Sequence, residues 1–252
     1  MLSDTGNDLA VIILAAGKGK RMNSPLPKVL HTLNGKPLLE YAITTAKLLS
    51  PIKLIVVVGN GADIVMERFQ RSDVVFVIQR EQLGTGHAVA QAGPGMESFQ
   101  GDILILSGDV PMIRKETLGN LISVHRETGN TLTFLTTNLD NPTGYGRVKR
   151  KGSGSVEAVI EERDAAPEIK TITEINSGIY CVKSDYLFKA LKQVDNNNDQ
   201  HEYYLTDIVK RACEGGSSVG AVEVPDTNEV MGINTVDELR AMEKVLTSGN
   251  IH

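Results

Sequence analysis

The chain has 252 residues and a mass of 27.3 kDa, enough for one large α/β domain or two small ones with a real core. Hydrophobic residues make up 41% of it and charged residues 23%, which excludes the intrinsically disordered class. The formal net charge of −5 excludes a basic nucleic-acid surface over the whole chain. Aromatic residues amount to only 4%, which argues against platforms for stacking single-stranded nucleic acid.

Neither a membrane span nor an export signal is predicted. The most apolar N-terminal run, Leu9 to Ala16, is much shorter than the ~20 residues that a bilayer-spanning helix needs. Asp4 and Asp8 precede it, where a signal peptide would carry basic residues. Cys181 and Cys213 have no metal-binding or redox spacing, which predicts reduced thiols in or near the core. We therefore expect a cytoplasmic protein without a membrane partner.

The first 130 residues alternate between strand and helix patterns. Ala10 to Leu14, for example, is a continuous apolar run bounded by Gly17, typical of a strand that is buried on both faces. Strands separated by helices predict a mostly parallel sheet with helices on both sides. Strands are predicted at 10–14, 53–58, 74–78 and 102–106, and helices at 38–49, 62–70, 85–91 and 115–126.

After about residue 130 the pattern changes to strands with few helices between them. The segment Lys151 to Ser155 is rich in glycine and serine, which predicts a hairpin there. The fold class that follows is α/β, with a doubly wound, mostly parallel, Rossmann-like sheet and an antiparallel insertion on the substrate side. Strands are predicted at 132–137, 147–149, 156–161, 175–182 and 219–224, and helices at 185–193, 203–213 and 236–246.

A concentration of positive charge follows the first predicted strand. Between Leu9 and Leu39 there are five cations and no acidic residue, so this segment carries +5 and the rest of the chain −10. Ligands bind at the carboxyl ends of strands in open α/β sheets, where glycines let backbone N–H groups approach an anion and cations neutralise it. The pattern predicts a polyphosphate site. The five cations are Lys18, Lys20, Arg21, Lys28 and Lys36.

Two common phosphate-binding motifs are missing from the sequence. It contains no Walker A string, and after Gly17 and Gly19 the third position of a dinucleotide fingerprint is occupied by Met22. A kinase or an NAD-dependent enzyme is therefore disfavoured.

The segment Leu14–Met22, followed by Pro27–Leu30, resembles the signature of sugar-phosphate nucleotidyltransferases. Within them, the chain resembles the uridyltransferase domain of the bifunctional N-acetylglucosamine-1-phosphate uridyltransferase/glucosamine-1-phosphate acetyltransferase family. The resemblance covers about residues 10 to 246. The strings that carry this closer likeness are 79–88, 108–111, 140–147, 174–176, 196–198, 202–204 and 232–234.

The resemblance implies transfer of uridylyl from UTP to N-acetylglucosamine 1-phosphate, giving UDP-N-acetylglucosamine and pyrophosphate. The sugar phosphate would attack the α-phosphorus in line, assisted by Mg²⁺. Its oxygen is already ionised near neutral pH, so the site must supply positioning and charge neutralisation rather than a base. A role in peptidoglycan synthesis and cell wall biogenesis is implied as well. Two alternatives stay open: the same chemistry on glucose or galactose 1-phosphate, and a non-catalytic relative that binds nucleotide sugars.

The same resemblance assigns nucleotide-binding and catalytic residues. Arg21 and Lys28 would neutralise the phosphates as catalytic residues. The sequence departs from the family pattern at Lys20 and at Ser107, which leaves the roles of these two positions open. The residues expected to bind the nucleotide are Leu14, Ala15, Ala16, Gly17, Lys28, Gln79, Gln82, Gly84, Thr85 and Gly108.

Metal and sugar ligands are implied in the same way. Asp109 follows an apolar strand and would hold Mg²⁺ together with Asn234, since this ion prefers a few oxygen ligands completed by phosphates and water. Gly146, Glu161 and Asn176 match positions that would bind the sugar, and Asn234 is expected to contact the substrate as well as the metal.

The predicted organisation is a single nucleotidyltransferase domain over residues 9–248. It would comprise a nucleotide-binding half (9–130), a sugar-binding half (131–234) and a C-terminal helix (235–248). The sequence stops at His252, before any hexapeptide repeat of a β-helix acetyltransferase domain. Acetylation and trimerisation by that route are not expected, which predicts a monomer or a weak oligomer.

Overall fold

The computed structural model of the protein describes residues 8–247, apart from the side chain of Lys20. The first strand, β1 (Leu9–Ala15), is buried along both faces. Val11 and Ile13 enter one hydrophobic core, while Ala10 and Ile12 enter another on the opposite face. Such a two-sided apolar run is what a strand inside a helix-covered parallel sheet requires.

The remaining elements alternate along the chain. The other strands are β2 (Thr32–Leu33), β3 (Lys36–Pro37), β4 (Lys53–Val58), β5 (Val75–Ile78), β6 (Asp102–Ser107), β7 (Leu132–Asn138), β8 (Arg147–Arg150), β9 (Val156–Ile160), β10 (Glu174–Lys183) and β11 (Val219–Glu223). The α-helices are α1 (Leu38–Lys47), α2 (Ala62–Arg68), α3 (Thr85–Gln91), α4 (Lys115–Glu127), α5 (Pro167–Lys170), α6 (Ser184–Leu191), α7 (Asp207–Glu214) and α8 (Val236–Thr247). Short 3₁₀ helices lie at Lys20–Met22, Lys28–Leu30, Gly93–Gly95 and Thr227–Glu229.

The main sheet has the strand order β11-β7-β10-β6-β1-β4-β5, and the hairpin β8–β9 is attached to β10. Pairing is parallel from β6 through β1 and β4 to β5, and also between β7 and β11. β10 is antiparallel to both of its neighbours, β6 and β7. A small separate ribbon is formed by β2 and β3. This is the mixed, mostly parallel α/β sheet expected from the sequence.

The reversed direction of β10 decides which residues meet at the site. Parallel strands β1 and β6 end at the same edge of the sheet, and antiparallel β10 begins there. β8 begins and β9 ends next to the start of β10, because Arg147 pairs with both Ile160 and Ile175. Loops after β1, β6 and β9 therefore lie beside Asn176, near the start of β10.

Helices cover both faces of the sheet. Apolar side chains of α1, α2 and α4 pack on one face, and those of α3, α6 and α7 on the other. A smaller core joins the β2–β3 ribbon to α8 through Leu33 and Met242. Cys181 is buried in β10 and Cys213 is half-buried in α7; neither forms a disulfide.

The predicted strands and helices are confirmed, with shifts at their ends. The largest shift concerns the helix predicted at 203–213, which begins at Asp207 as α7. Tyr203 instead lies outside the helix. Its backbone N–H donates to Leu83 O at 2.7 Å, and its carbonyl oxygen accepts from Gly86 N at 2.8 Å. A tertiary contact thus overrides local helix preference. β2, β3 and α5 were not predicted, and Ser248 of the predicted C-terminal helix lies outside the described residues.

Among residues 8–247, no helix combines the length and the apolarity needed to cross a membrane.

Candidate nucleotide and sugar site

A cleft runs along the edge of the sheet where β1 and β6 end. It consists of two neighbouring cavities of about 510 and 370 Å³. We call the larger one the loop cavity, because the end of β1 and the loop after it (14–18) line it. We call the smaller one the hairpin cavity, because residues flanking β8 and β9 line it. The residues common to both are Leu14, Thr85, Ser107 and Asp109.

The loop after β1 brings backbone and cations to this edge. Gly19 has a φ of +56°, and a Cβ added there would lie 2.7 Å from the Cβ of Lys28. Only glycine combines this conformation with such close packing. Lys18, Arg21 and Lys28 consequently surround a third, small cavity of about 220 Å³ beside the first two. A pocket lined by three cations is suited to a polyphosphate.

Lys28 lies at the junction of the cavities. Its ammonium group donates hydrogen bonds to Asp109 Oδ2 and, at 3.0 Å, to Asn234 Oδ1. Asp109 follows β6, whereas Asn234 precedes α8, so residues distant in sequence converge on one cation. Ile233 N–H donates to Asp109 O at 2.9 Å, which ties the two segments together.

The side chains of Asp109 and Asn234 have the donor atoms that a divalent metal requires. A carboxylate and a carbonyl oxygen already share one positive charge, and both belong to the hard oxygen donors that Mg²⁺ prefers. The Asp109 and Asn234 pair therefore fits a magnesium ion that phosphates and water would complete. A different group, Asp102, His125 and Cys181, also has ligand atoms within 4.8 Å of one another. Arg126 Nε donates to Asp102 at 2.7 Å, however, so that carboxylate already has a cationic partner.

Glutamine amides line the far end of the loop cavity. Gln79 follows β5 and is 3% exposed; its Nε2 donates to Gly84 O at 3.1 Å. Gln82 Nε2 donates back to Gln79 O at 2.9 Å. Gly84 has a φ of +111°, and a Cβ there would lie 2.5 Å from Tyr203 O. Glycine is therefore required at this turn, which brings the backbone of Gly84 and the two glutamine amides to the same cavity.

The hairpin cavity presents a carboxylate and an amide. Glu161, just after β9, accepts a hydrogen bond from the Thr206 hydroxyl at 2.9 Å. Burial raises the pKa of Glu161, and the nearby carboxylates of Asp207 and Asp164 add to this effect. Asn176 Nδ2 donates to the Tyr180 hydroxyl at 2.6 Å, and its N–H donates to Gly146 O at 2.9 Å. A carboxylate and an amide suit the hydroxyl groups of a sugar, which both donate and accept hydrogen bonds.

The loop before β8 is held by an ion pair between buried Arg147 and half-buried Glu162. Arg147 is 1% exposed and lies 2.8 Å from Glu162 Oε2, an atom that also accepts from Gly144 N–H at 3.2 Å. Arg147 also donates to Tyr145 O. Burial, with Glu238 and Asp109 nearby, raises the pKa of Tyr145 to about 12, so the phenol stays protonated at neutral pH.

Most of the residues predicted from the sequence line the cleft. Gly108 is the exception among the described residues: it lies buried under the cleft and donates its N–H to Leu14 O at 2.9 Å. Those along the loop cavity are Leu14, Ala15, Ala16, Gly17, Lys28, Gln79, Gln82, Gly84, Thr85 and Asp109. Those along the hairpin cavity are Arg21, Asp109, Gly146, Glu161, Asn176 and Asn234.

Sequence reasoning missed several residues that shape this cleft. Thr206 reaches Glu161 from the loop before α7, and nothing in its local sequence signals that contact. Arg147 belongs to a string already noted for its resemblance, but its burial and its pairing with Glu162 depend on the hairpin.

The nucleotidyl transferase family model matches residues 10–228. The chain belongs to the nucleotidyl transferase family. The match includes the loop after β1, the glutamine turn and the β8–β9 hairpin, and it ends before Asn234.

Curated relatives support the same family. The Bifunctional protein GlmU of Geobacter metallireducens is 50% identical over 228 residues, which cover 90% of this chain and 48% of the relative. The Bifunctional protein GlmU of Pelobacter propionicus is 43% identical over 240 residues, covering 95% and 52%. The chain thus spans about half the length of the curated relatives that it matches.

Solved structures share the fold of this nucleotidyl transferase at low sequence identity. A UDP-glucose pyrophosphorylase in complex with UDP-glucose has a TM-score of 0.74 and 15% identity, covering 96% of this chain and 99% of that one. A putative glucose-1-phosphate thymidylyltransferase from Bacillus anthracis has a TM-score of 0.73 and 17% identity, covering 94% of both chains. Their fold agrees with the doubly wound sheet described above.

Proposed function

We propose that this chain transfers the uridylyl group of UTP to N-acetylglucosamine 1-phosphate, forming UDP-N-acetylglucosamine and releasing pyrophosphate. Family membership supports nucleotidyl transfer, and the GlmU relatives at 43–50% identity support this donor and acceptor. UDP-N-acetylglucosamine is a precursor for peptidoglycan, so the product would serve cell wall biogenesis.

The observation that carries the proposal is the meeting of the two cavities. The loop cavity offers cations and amides to a nucleoside triphosphate, and the hairpin cavity offers Glu161 and Asn176 to a sugar. Leu14 and Asp109 line both cavities, so a sugar phosphate in the hairpin cavity would face the α-phosphorus of a nucleotide in the loop cavity. Such placement converts a reaction between two molecules into one within a single complex.

The proposed chemistry needs no general base from the protein. The attacking phosphate oxygen is ionised, and pyrophosphate leaves as an anion, so negative charge must be balanced throughout. Arg21 would stabilise the charge that develops on the α-phosphate, since it is exposed to the hairpin cavity and to the small basic cavity. Lys28 would move from Asp109 to the phosphates once they bind.

Asp109 and Asn234 would hold a magnesium ion in this proposal. When bound, Mg²⁺ supplies positive charge and orients phosphate oxygens. Lys28 now occupies the position between these two ligands, so the phosphates of the incoming nucleotide would release both oxygens for the metal.

We further propose the division of the domain that the sequence predicts. Residues 9–130 would bind the nucleotide, residues 131–234 the sugar, and the helix from 235 would close the metal side. Ser248, the last residue of that range, lies outside the described residues.

The test is pyrophosphate release from UTP and Mg²⁺ with N-acetylglucosamine 1-phosphate, run beside glucose 1-phosphate, galactose 1-phosphate and CTP. The proposal expects strong release with the first pair alone. Release that favours glucose or galactose 1-phosphate would keep the reaction and overturn the choice of sugar. A folded protein that binds UTP but releases no pyrophosphate with any pair would instead be a non-catalytic nucleotide-sugar-binding relative.

A further inference from the structure

We infer that His87 fixes the direction of the Gln79 amide and thereby selects uracil over cytosine. His87 would not touch the nucleotide itself; it is a positioning residue that acts through Gln79. The inference rests on the proposed function, because it assumes that the loop cavity takes the base of UTP.

The amide of Gln79 has a defined direction. Its Nε2 lies 3.1 Å from Gly84 O, and a backbone carbonyl can only accept a hydrogen bond. The NH₂ group of Gln79 must therefore face Gly84, which leaves the carbonyl oxygen Oε1 on the other side. Among residues 8–247, Oε1 has no hydrogen-bond partner, and Gln79 lines the loop cavity. A free acceptor is thus available to a ligand.

His87 supplies the second contact to the same NH₂ group. Its Nδ1 lies 3.0 Å from Gln79 Nε2. Because that amide nitrogen carries only hydrogens, Nδ1 must accept, and the neutral imidazole must then carry its hydrogen on Nε2. The NH₂ group is thereby held by two acceptors, Gly84 O and His87 Nδ1.

Gln91 completes the arrangement from the next turn of α3. Its amide nitrogen lies 3.1 Å from His87 Nε2 and 3.2 Å from His87 O. A neutral imidazole cannot accept at both ring nitrogens. Gln79 is buried, whereas Gln91 is half-buried and water can reach its amide. We therefore expect Gln91 to give up its hydrogen bond to His87 O and turn its oxygen toward the Nε2–H of His87. The ring tautomer is then fixed from both sides.

The direction of the Gln79 amide matters because uracil and cytosine differ at N3. Uracil carries a hydrogen there and donates, whereas the N3 of cytosine is an acceptor. The free oxygen of Gln79 matches the uracil N3–H and repels the cytosine N3. If the amide rotated by 180°, its NH₂ group would favour cytosine. That rotation would turn Oε1 toward both Gly84 O and His87 Nδ1, so the acceptor on His87 adds to the opposition from Gly84 O.

The test compares two substitutions of His87 that differ in one property. His87→Phe keeps a ring of similar size next to Tyr203, whose ring centroid lies 6.3 Å away, but removes the acceptor. His87→Asn keeps an acceptor close to the position of Nδ1. The readout is the ratio of kcat/KM for UTP to that for CTP, with the corresponding Kd ratio measured by calorimetry.

We expect H87F to lower the UTP/CTP ratio by roughly 10-fold or more, since a mismatched buried hydrogen bond is costly. H87N should keep the ratio within about 3-fold of the wild-type value, and KM for the sugar phosphate should stay unchanged in both. The inference is overturned if H87F loses activity equally with both nucleotides, or if H87N loses the ratio as fully as H87F. If H87F fails to fold, as judged by its thermal unfolding, H87A replaces it with the same expectation.

The calorimetric ratio separates this inference from the proposed function. A wild-type protein that binds neither UTP nor CTP contradicts the proposed function. A wild-type protein that prefers UTP, together with an H87F variant that prefers it as strongly, contradicts only the role of His87.

Discussion

The loop cavity and the hairpin cavity belong to one cleft but differ in the groups that they present. The loop cavity is lined by backbone of residues 14–17 and by the cations Lys18 and Lys28. The hairpin cavity presents Glu161 and Asn176. Backbone donors and positive charge suit phosphates, whereas a carboxylate and an amide suit sugar hydroxyl groups, which both donate and accept hydrogen bonds.

The two cavities also differ in how the chain assembles them. One short loop after a single parallel strand supplies much of the loop cavity. The hairpin cavity draws residues from the loops before β8 and after β9, from β10 and from the loop before α7, and these segments meet because β10 runs antiparallel to its neighbours. Asp109 lies between the two, so the substitution with the largest expected effect is at this shared residue.

Asp109→Ala should reduce kcat by roughly 1000-fold, because it removes the proposed anionic metal ligand, which lines both cavities. The thermal unfolding temperature should change little, since Asp109 is half-buried at the edge of the sheet. Steady-state pyrophosphate release at several Mg²⁺ concentrations measures this effect. Asp237→Ala, an exposed carboxylate in the first turn of α8, serves as the matched control. Activity of D109A near the wild-type level would rule out the proposed metal site.

Arg21→Ala should lower kcat by roughly 100-fold and KM for UTP by much less. Arg21 is exposed and lines the hairpin cavity and the small basic cavity. In the proposed mechanism its charge is needed most when negative charge develops during transfer. Separate measurement of kcat and of UTP affinity checks this prediction, with Arg68→Ala on α2 as the control. If only the affinity for UTP fell, Arg21 would contribute to binding of the ground state and not to stabilisation of the transition state.

Glu161→Gln should raise KM for the sugar phosphate about 10-fold and leave KM for UTP unchanged, because a charged acceptor is lost from the hairpin cavity only. An equal rise in both values would contradict the separation of the cavities.

The same variant should be more stable than the wild type at neutral pH. Burial raises the pKa of Glu161 in the folded protein, so the stability that this group contributes is present below the ordinary carboxyl pKa and is lost as pH rises through the raised value. The neutral amide that replaces the carboxyl group in the variant does not titrate. The difference in the free energy of unfolding should therefore shrink toward about pH 4, as denaturant titrations at several pH values can show.

Glu162→Gln should have the smallest effect, raising KM for the sugar phosphate by roughly 3-fold to 10-fold. It weakens the partner of buried Arg147 and loosens the loop that carries Tyr145 and Gly146. Glu157→Gln, which removes a surface ion pair with Lys149 on the same hairpin, should change nothing measurable. Equal behaviour of the two variants would rule out a positioning role for the Arg147–Glu162 pair.

Local sequence patterns predicted the loop cavity well. The apolar run of β1, the following glycines and the cluster of cations are contiguous, and parallel sheets place such loops at their carboxyl edge. The glutamine turn was recognised from its string, but the network of His87, Gln79 and Gly84 was not, because hydrogen-bond direction depends on which atoms the turn brings within 3.1 Å.

The sequence by itself determined the class of fold, the order of its elements and the positively charged loop, because these features depend on periodicity and composition within short segments. The tertiary structure decided that Asn234 and Asp109 both bind the ammonium group of Lys28. It also decided that Tyr203 lies outside α7 and that the Thr206 hydroxyl donates to Glu161. Each of these is a contact between segments far apart in the chain, and no local pattern specifies which distant partner a side chain will reach.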